Sequence, residues 1–260
     1  MNSLSPRYLG AARLRAIRER LQKSSSVSIS EIAGALGVSD MTIRRDLALL
    51  EKSDDVKRTH GGAIVAQRMA FEFNYHSRKR ENLGEKRAIA LAARKLITAG
   101  QRIILDTGTT TLQLAMLLKD CPNLTVITPS LAVASELQYS ENITVILLGG
   151  MLHRGSPDLT GPATMHCLDL FSADWVFQGA EGIGDDGSVY NVDLQLSQVD
   201  RKMREKAKRS CLLVDKSKIS QTALVKTGNL SDFDVFITEK KAFAPFLRTA
   251  RKMTSQLILV

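Results

Sequence analysis

Two adjacent arginines, Arg44 and Arg45, stand near the start of a helix-forming stretch, DMTIRRDLALLEK. A guanidinium is a planar fork of donors that matches guanine O6 and N7, and it also pairs with phosphate. Sequence alone leaves open which arginine does which. Thr42, one turn earlier, offers a hydroxyl to a phosphate or a methyl to thymine. A second run, IILDTGTTTL from Ile103 to Leu112, reads as strand, short loop, helix. Backbone N–H groups at a helix N-terminus, joined by the hydroxyls of Thr107, Thr109 and Thr110 around Gly108, make an anion site. Asp106, at the strand's carboxyl end, is placed to hold a sugar hydroxyl or to orient the loop. Thr128, Gly149, Gly179, Glu181 and Lys218 also follow strand ends. Lys218 could neutralise a phosphate, and Asp193 could cap the next helix or face a ligand. Taken singly, each also reads as an ordinary turn or cap.

The elements that must position these groups follow from periodicity. Leu14, Ile17 and Leu21 recur at helical spacing among Arg13, Arg15, Arg18 and Arg20, which predicts an amphipathic helix. Ser24 to Ser26 end it, and Val27 to Ile29 predict a short strand. Ser30 is placed to cap a second helix, Glu31 to Leu36, burying Ile32 and Leu36. Gly37 supplies the positive φ that closes this helix. Ser39 is placed to cap a third, Asp40 to Lys52, with Ile43, Leu47 and Leu50 inward. Val56 to Thr59 and Ala63 to Val65 alternate as two strands joined across His60-Gly61-Gly62.

That order is the order of a winged helix-turn-helix, whose second helix enters the major groove of double-stranded DNA. The expected reading edge is Ser39, Met41, Thr42, Arg44 and Arg45, next to Asp40. Lys57, Arg58, His60 and Gly61 of the wing have the chemistry for backbone or minor-groove contact. The opposing interpretation, that two arginines on a solvated face are plain surface charge, loses weight to the ordered set of caps, turn and hairpin around them.

Beyond the wing, Ala66 to Leu83 form a connecting segment, FEFNYHSRKR included, whose Phe71, Phe73 and Tyr75 predict packing. A helix is expected from Glu85 to Thr98. Apolar runs then alternate with helical stretches. The runs are 102–105, 124–128, 143–148, 175–178, 211–214, 235–238 and 257–260, and the helices 111–119, 130–139 and 196–208. Such runs with helical crossovers predict a mainly parallel sheet covered on both faces, in an α/β two-domain chain. The expected domains are 8–66 for DNA, 67–84 as connector and 85–260 for an effector. In an open α/β sheet ligands bind outside the carboxyl ends of the strands, where the polar turns collect.

The chain has 260 residues, a net charge of +9 and 44% hydrophobic residues, enough for two unequal cores. The basic excess favours a polyanionic partner. Three widely spaced cysteines predict neither a disulfide framework nor a thiolate zinc site. No signal peptide or membrane span is expected, which points to the cytoplasm, and no cofactor or metal is implied.

The stretch VSISEIAGALGVSDMTIRRDLALLEKSDDVKRTHGGA resembles the N-terminal domain of the DeoR family of bacterial repressors. Val38, Ser39, Thr42, Ile43, Arg44, Arg45, Asp46 and Leu47 match its V-S-x-x-T-I-R-R-D-L helix, and His60 to Ala63 its H-G-G-A wing. On this reading Asp46 pairs with a neighbouring arginine. The EKRAIA helix, the DTGTT loop, LLGG, Gly179 to Ile183 and LVDKSKI are similar to the family's effector domain, itself similar to ribose-phosphate and glucosamine-phosphate isomerases and to CoA transferases. The resemblance implies a phosphorylated sugar or related metabolite as effector. Thr107 to Thr110 would hold its phosphate, and Asp106, Asp193 and Lys218 would surround its sugar. Three positions depart from the pattern: Pro129 replaces an asparagine, and Leu196 and Asp200 align with a glutamate and a lysine.

The expected function is therefore a sequence-specific regulator, a repressor of a carbohydrate operon. A homo-oligomer, dimer or tetramer, is expected because one helix-turn-helix reads only a half-site. Two alternatives stand beside it. One is a phosphosugar isomerase carrying an added helical domain, for which Leu196 sits where a carboxylate would serve. The other is a DNA-binding regulator whose pocket has lost its ligand.

Overall fold

The structure is a computed structural model that describes residues 6–24, 26–52, 56–58, 61–65, 75, 78–153 and 156–260. It divides into two compact units, Met1–Ser77 with Arg154–Ser156, and Arg78–His153 with Pro157–Val260.

The first unit contains α1 (Pro6–Ser24), β1 (Ser26–Ser28), α2 (Ile29–Leu36), α3 (Asp40–Lys52), β2 (Val56–Arg58) and β3 (Gly62–Val65). The strands form an antiparallel sheet in the order β1-β3-β2. α2 starts at Ile29, so Ser28 takes the N-cap position and Ser30 lies inside the helix, against the expected cap at Ser30. Burial accounts for the shift: Ile29 and Ile32 are both in the core at i, i+3 spacing, which draws the first turn back to include Ile29. Gly37 closes α2 at φ 65°, its N–H bonding to the Ala33 carbonyl. Ile17, Leu21, Ile32, Ile43, Leu47, Leu50 and Val56 form one core, so each helix offers a single apolar stripe. Burying each such side chain contributes roughly 1.5–3 kcal/mol.

The second unit is a seven-stranded, wholly parallel sheet in the order β15-β14-β12-β9-β4-β5-β6. These strands are β4 (Arg102–Leu105), β5 (Leu124–Thr128), β6 (Ile143–Leu147), β9 (Ala173–Gln178), β12 (Ala207–Leu213), β14 (Val235–Thr238) and β15 (Gln256–Leu259). Alternation sends Ile103 and Leu105 to one face, with Ile89 and Ala93 of α4 (Leu83–Arg94) and Leu112 of α5 (Thr109–Met116). α6 (Leu131–Leu137) adds Val133 to the same layer. Ile104 and Val176 face the other way, toward Leu168 of α7 (Pro162–Asp169) and Val199 and Met203 of α8 (Leu194–Glu205). The expected covering of both faces is therefore present.

Several elements lie outside the expected pattern. β7 (Met151–Leu152) and β8 (Leu159–Thr160) form a small hairpin. A second antiparallel sheet joins β10 (Gly182–Ile183), β11 (Ser188–Asn191) and β13 (Val225–Asn229). α7 and α9 (Ala244–Met253) were also not expected. Two-residue strands carry no readable period. β12 begins four residues before the expected Cys211, across the charged Lys208 and Arg209. The Arg209 guanidinium stacks 4.1 Å over the Trp175 ring and Lys208 pairs with Asp174 at 3.0 Å, which makes that charged start compatible with pairing to β9.

Candidate functional sites

The α2–Gly37–α3 pair presents one side of α3 to solvent. Met41, Arg44 and Arg45 are exposed and Thr42 is half-buried, while Ile43 and Leu47 are fully buried. Ser39 caps the helix: its Oγ accepts from the Thr42 N–H at 3.3 Å and lies 3.0 Å from Thr42 Oγ1. Ser39 is thus occupied in fixing the first turn, and Met41, Arg44 and Arg45 are the free edge. Asp46 is buried and pairs with Arg13 of α1, which donates from both Nε and Nη2. The partner is not one of the neighbouring arginines but one from a different helix. The hydrogen bonds to Asp46 raise the Arg13 pKa against the opposing effect of burial.

In the wing the two glycines differ. Gly61 is exposed with open space around it, and its carbonyl accepts from the Ile29 N–H at 3.0 Å. Gly62 packs so tightly that a Cβ would lie 1.9 Å from the Val27 carbonyl oxygen. Lys57 and Arg58 lie on β2 opposite Ile64 and Ala63. His60, Phe71 and Phe73 lie outside the described residues.

The second site forms where the strand order reverses. From β4 the chain steps outward through β5 and β6, then returns to place β9 on the other side of β4. Crevices at such switch points, beyond the strands' carboxyl ends, are where open α/β sheets bind ligands. Asp106 follows β4 and Gly179 follows β9, and the Gly179 N–H donates to Asp106 Oδ2 at 2.8 Å. Thr111 Oγ1 donates to the carbonyls of Asp106 (2.9 Å) and Gly108 (2.7 Å), fixing the loop. Thr107 Oγ1 reaches Asp106 Oδ1 at 3.4 Å. Gly108 occupies the N-cap of α5, so Thr109 and Thr110 form its first turn, Thr110 buried and Thr109 half-buried. Asp106, the four-residue loop and Gly179 are brought together.

The remaining expected residues are held by other partners. Thr128 is fully buried, donating to the Leu105 carbonyl at 2.7 Å and accepting from the Ser130 N–H at 3.1 Å. It fastens β5 to β4. Gly149 follows β6, two strands out from β4. Asp193 caps α8, accepting from the N–H groups of Gln195 (2.8 Å) and Leu196 (3.0 Å). Glu181 and Lys218 pair with each other at 2.8 Å, and Arg78 pairs with the same carboxylate. Burial would raise the Glu181 carboxyl, but the charges of Arg78 and Lys218 outweigh it and hold the pKa below the usual range.

Asp200 is buried on α8 and accepts from Asn191 Nδ2 at 2.8 Å. Its backbone carbonyl accepts from Gln178, the residue just before Gly179, at 2.9 Å. Burial and then the charge of Asp106 push its carboxyl well above the ordinary aspartate range. Asp106 is also raised by burial, against the hydrogen bonds from Gly179 and Thr107. Sequence reasoning missed Arg78 and Thr111 as parts of this site. Arg78 is one basic residue in the run SRKR, and Thr111 is one of three consecutive threonines, so nothing local distinguishes either.

A winged helix-turn-helix with a solvated arginine edge, joined to a parallel α/β unit with polar loops at its switch point, defines a DNA-binding protein with a second, α/β domain. The chain belongs to the DeoR family. Residues 13–69 match its DeoR-like helix-turn-helix domain and residues 81–240 its DeoR C terminal sensor domain. The HTH-type transcriptional repressor GlcR of Bacillus subtilis (strain 168) is 34% identical over 230 residues, 88% of each chain. The glycerol-3-phosphate regulon repressor of Escherichia coli (strain K12) is 32% identical over 223 residues, 86% of this chain and 88% of that one. Ribose 5-phosphate isomerase A from Methanocaldococcus jannaschii is 20% identical, with a TM-score of 0.40 over 54% of this chain and 55% of that one. The protein is a DNA-binding transcriptional regulator with a sensor domain, not an enzyme. Among the described residues no helix is long and apolar enough to cross a membrane.

Proposed function

We propose that this regulator is a cytoplasmic repressor of a carbohydrate-metabolism operon whose DNA affinity is set by a phosphorylated sugar or related metabolite. One observation carries the sensing half: the Asp106–Gly179 hydrogen bond, which joins the ends of β4 and β9 where the strand order reverses. Beside it, the first turn of α5 offers N–H groups and threonine hydroxyls to a phosphate, and Asp106 is placed for a sugar hydroxyl. Relatives named as repressors, one of a glycerol-3-phosphate regulon, support an effector of this chemistry. In the DNA-binding half, Thr42, Arg44 and Arg45 read the operator and the wing, from Lys57 to Gly61, meets backbone or minor groove. A homo-oligomer would place two reading helices on two half-sites.

Melting-temperature screening with a panel of sugar phosphates tests the sensing half, because a ligand that binds the native state raises the transition. A rise with one member that is lost in Asp106→Asn supports the pocket. A second reading, in which DNA binding persists without an effector, is favoured by one observation: Asp200 adds a buried carboxyl, and its backbone carbonyl is bonded to Gln178, next to Gly179. No rise with any member would select it.

A further inference from the structure

The second unit begins at Arg78, directly after the segment that ends the first. Its opening residues are fastened to the loops at the sheet's carboxyl edge. Arg78 pairs with Glu181, which follows β9. Asn82 donates to Asp215 Oδ1 at 3.2 Å, and Asp215 caps the short 3-10 turn Lys216–Lys218 that follows β12. Lys86 of α4, itself buried, donates to the Arg78 carbonyl. Lys218 Nζ closes the set on Glu181 Oε2 at 2.8 Å. Two cations from different elements therefore share one carboxylate, and that carboxylate lies two residues from Gly179, the residue bonded to Asp106.

A carboxylate between a guanidinium and an ammonium occupies the seat that a phosphate oxygen would take, since both cations bind either anion. We propose that Glu181 is a resident anion that holds Arg78 and Lys218 until the phosphate group of the effector takes its place, and that this exchange re-seats Arg78 and with it the start of the second unit, which the chain joins to the DNA-binding unit. The inference rests on the proposed phosphate pocket and adds how its filling would reach the DNA-binding half. The geometry makes this direct. Arg78 stands in the helical turn 78–80, so moving its ion pair from Glu181 to a phosphate shifts that turn. The phosphate does not need to move any strand of the sheet. It competes for side chains only.

The test uses the full chain, inorganic phosphate as probe, and promoter DNA from its own gene region. Glu181→Gln keeps the shape and removes the competing charge, so phosphate should bind this variant roughly tenfold more tightly than the wild type by calorimetry. Its DNA affinity should respond to phosphate at a concentration roughly tenfold lower than the wild type's. If the wild type binds phosphate and Glu181→Gln binds it no more tightly, the exchange is overturned and the pocket stands. If neither chain binds phosphate, the pocket and the exchange both fall. Arg78→Gln provides an independent arm should Glu181→Gln melt without cooperativity. It should bind phosphate more weakly, and saturating phosphate should change its DNA affinity less than the wild type's. A wild-type phosphate response in that variant overturns the proposal.

Discussion

Arg13 of α1 grips Asp46 of α3 with two nitrogens, across a sequence separation of 33 residues. Asp46 is 4% exposed and lies one residue past the arginine pair, so this clamp fixes how α3 is presented. Asp46→Ala leaves a guanidinium without its partner at a half-buried site. It should destabilise the first unit by about 1–3 kcal/mol, less than a fully buried pair would because Arg13 keeps some contact with water. Amide hydrogen exchange in α1 and α3 reads this directly: both helices should lose protection together, with α8 unchanged. DNA affinity should fall even though Asp46 touches no DNA.

Gly62 carries a different constraint. A methyl there would meet the Val27 carbonyl oxygen at 1.9 Å, so β1 and β3 could not keep their register of Ser28 opposite Gly62. Gly62→Ala should unfold the wing and abolish specific DNA binding. Gly61→Ala meets open space and should leave the first unit's melting temperature unchanged. Equal behaviour of the two variants in thermal melts would contradict the assignment.

Thr111 secures the sensor loop through its two hydrogen bonds to Asp106 and Gly108. Thr111→Val keeps the volume and takes this donor from the Asp106 carbonyl, while the Gly108 carbonyl keeps the Leu112 N–H at 3.0 Å; the cost is about 1–3 kcal/mol. Chemical denaturation of the second unit should show that loss. A sugar phosphate that stabilises the wild type should stabilise the variant less, because the loop is no longer held in shape.

The carboxyls of Asp106 and Asp200 sit above their ordinary range, both chiefly through burial, and Asp200 also through the charge of Asp106. Folding therefore favours their protonated forms. Their contribution to stability is fullest below the ordinary aspartate value, and it is lost as pH rises from there through the raised folded values. Asp200→Asn keeps the acceptor for Asn191 and removes one of the two titrating groups. The melting-temperature gain of Asp200→Asn over wild type should grow as pH rises from the ordinary aspartate value. A gain independent of pH would contradict the coupling.

The helix-turn-helix was legible because its signals are local: Gly37 for a left-handed turn, Ser39 for a cap, and Ile43, Leu47 and Leu50 on one stripe. The parallel sheet was legible from apolar runs such as Ile103 to Leu105. What escaped depends on residues far apart in the chain. Arg13 and Asp46, Arg78 and Glu181, and Asp106 and Gly179 meet only after folding, and no spacing announces them. At Asp193 the capping alternative is the one present, its Oδ1 accepting from Gln195 and Leu196, while the Thr128 hydroxyl is held by backbone groups on both sides. In the small sheet, β10 has only two residues and β13, Val-Lys-Thr-Gly-Asn, carries a single apolar side chain, so neither gives an apolar run.

The central claim is that Arg44 and Arg45, both exposed on α3, carry DNA recognition. Fluorescence anisotropy of the full chain on its own promoter DNA, titrated across a salt series, tests it most directly. Arg44→Ala and Arg45→Ala should each weaken specific binding by about 1–3 kcal/mol, with melting temperatures unchanged. An arginine that contacts phosphate should also reduce the salt slope by about one, and one that reads a base should relax specificity at one position. Wild-type affinity and salt slope in both variants would contradict the account.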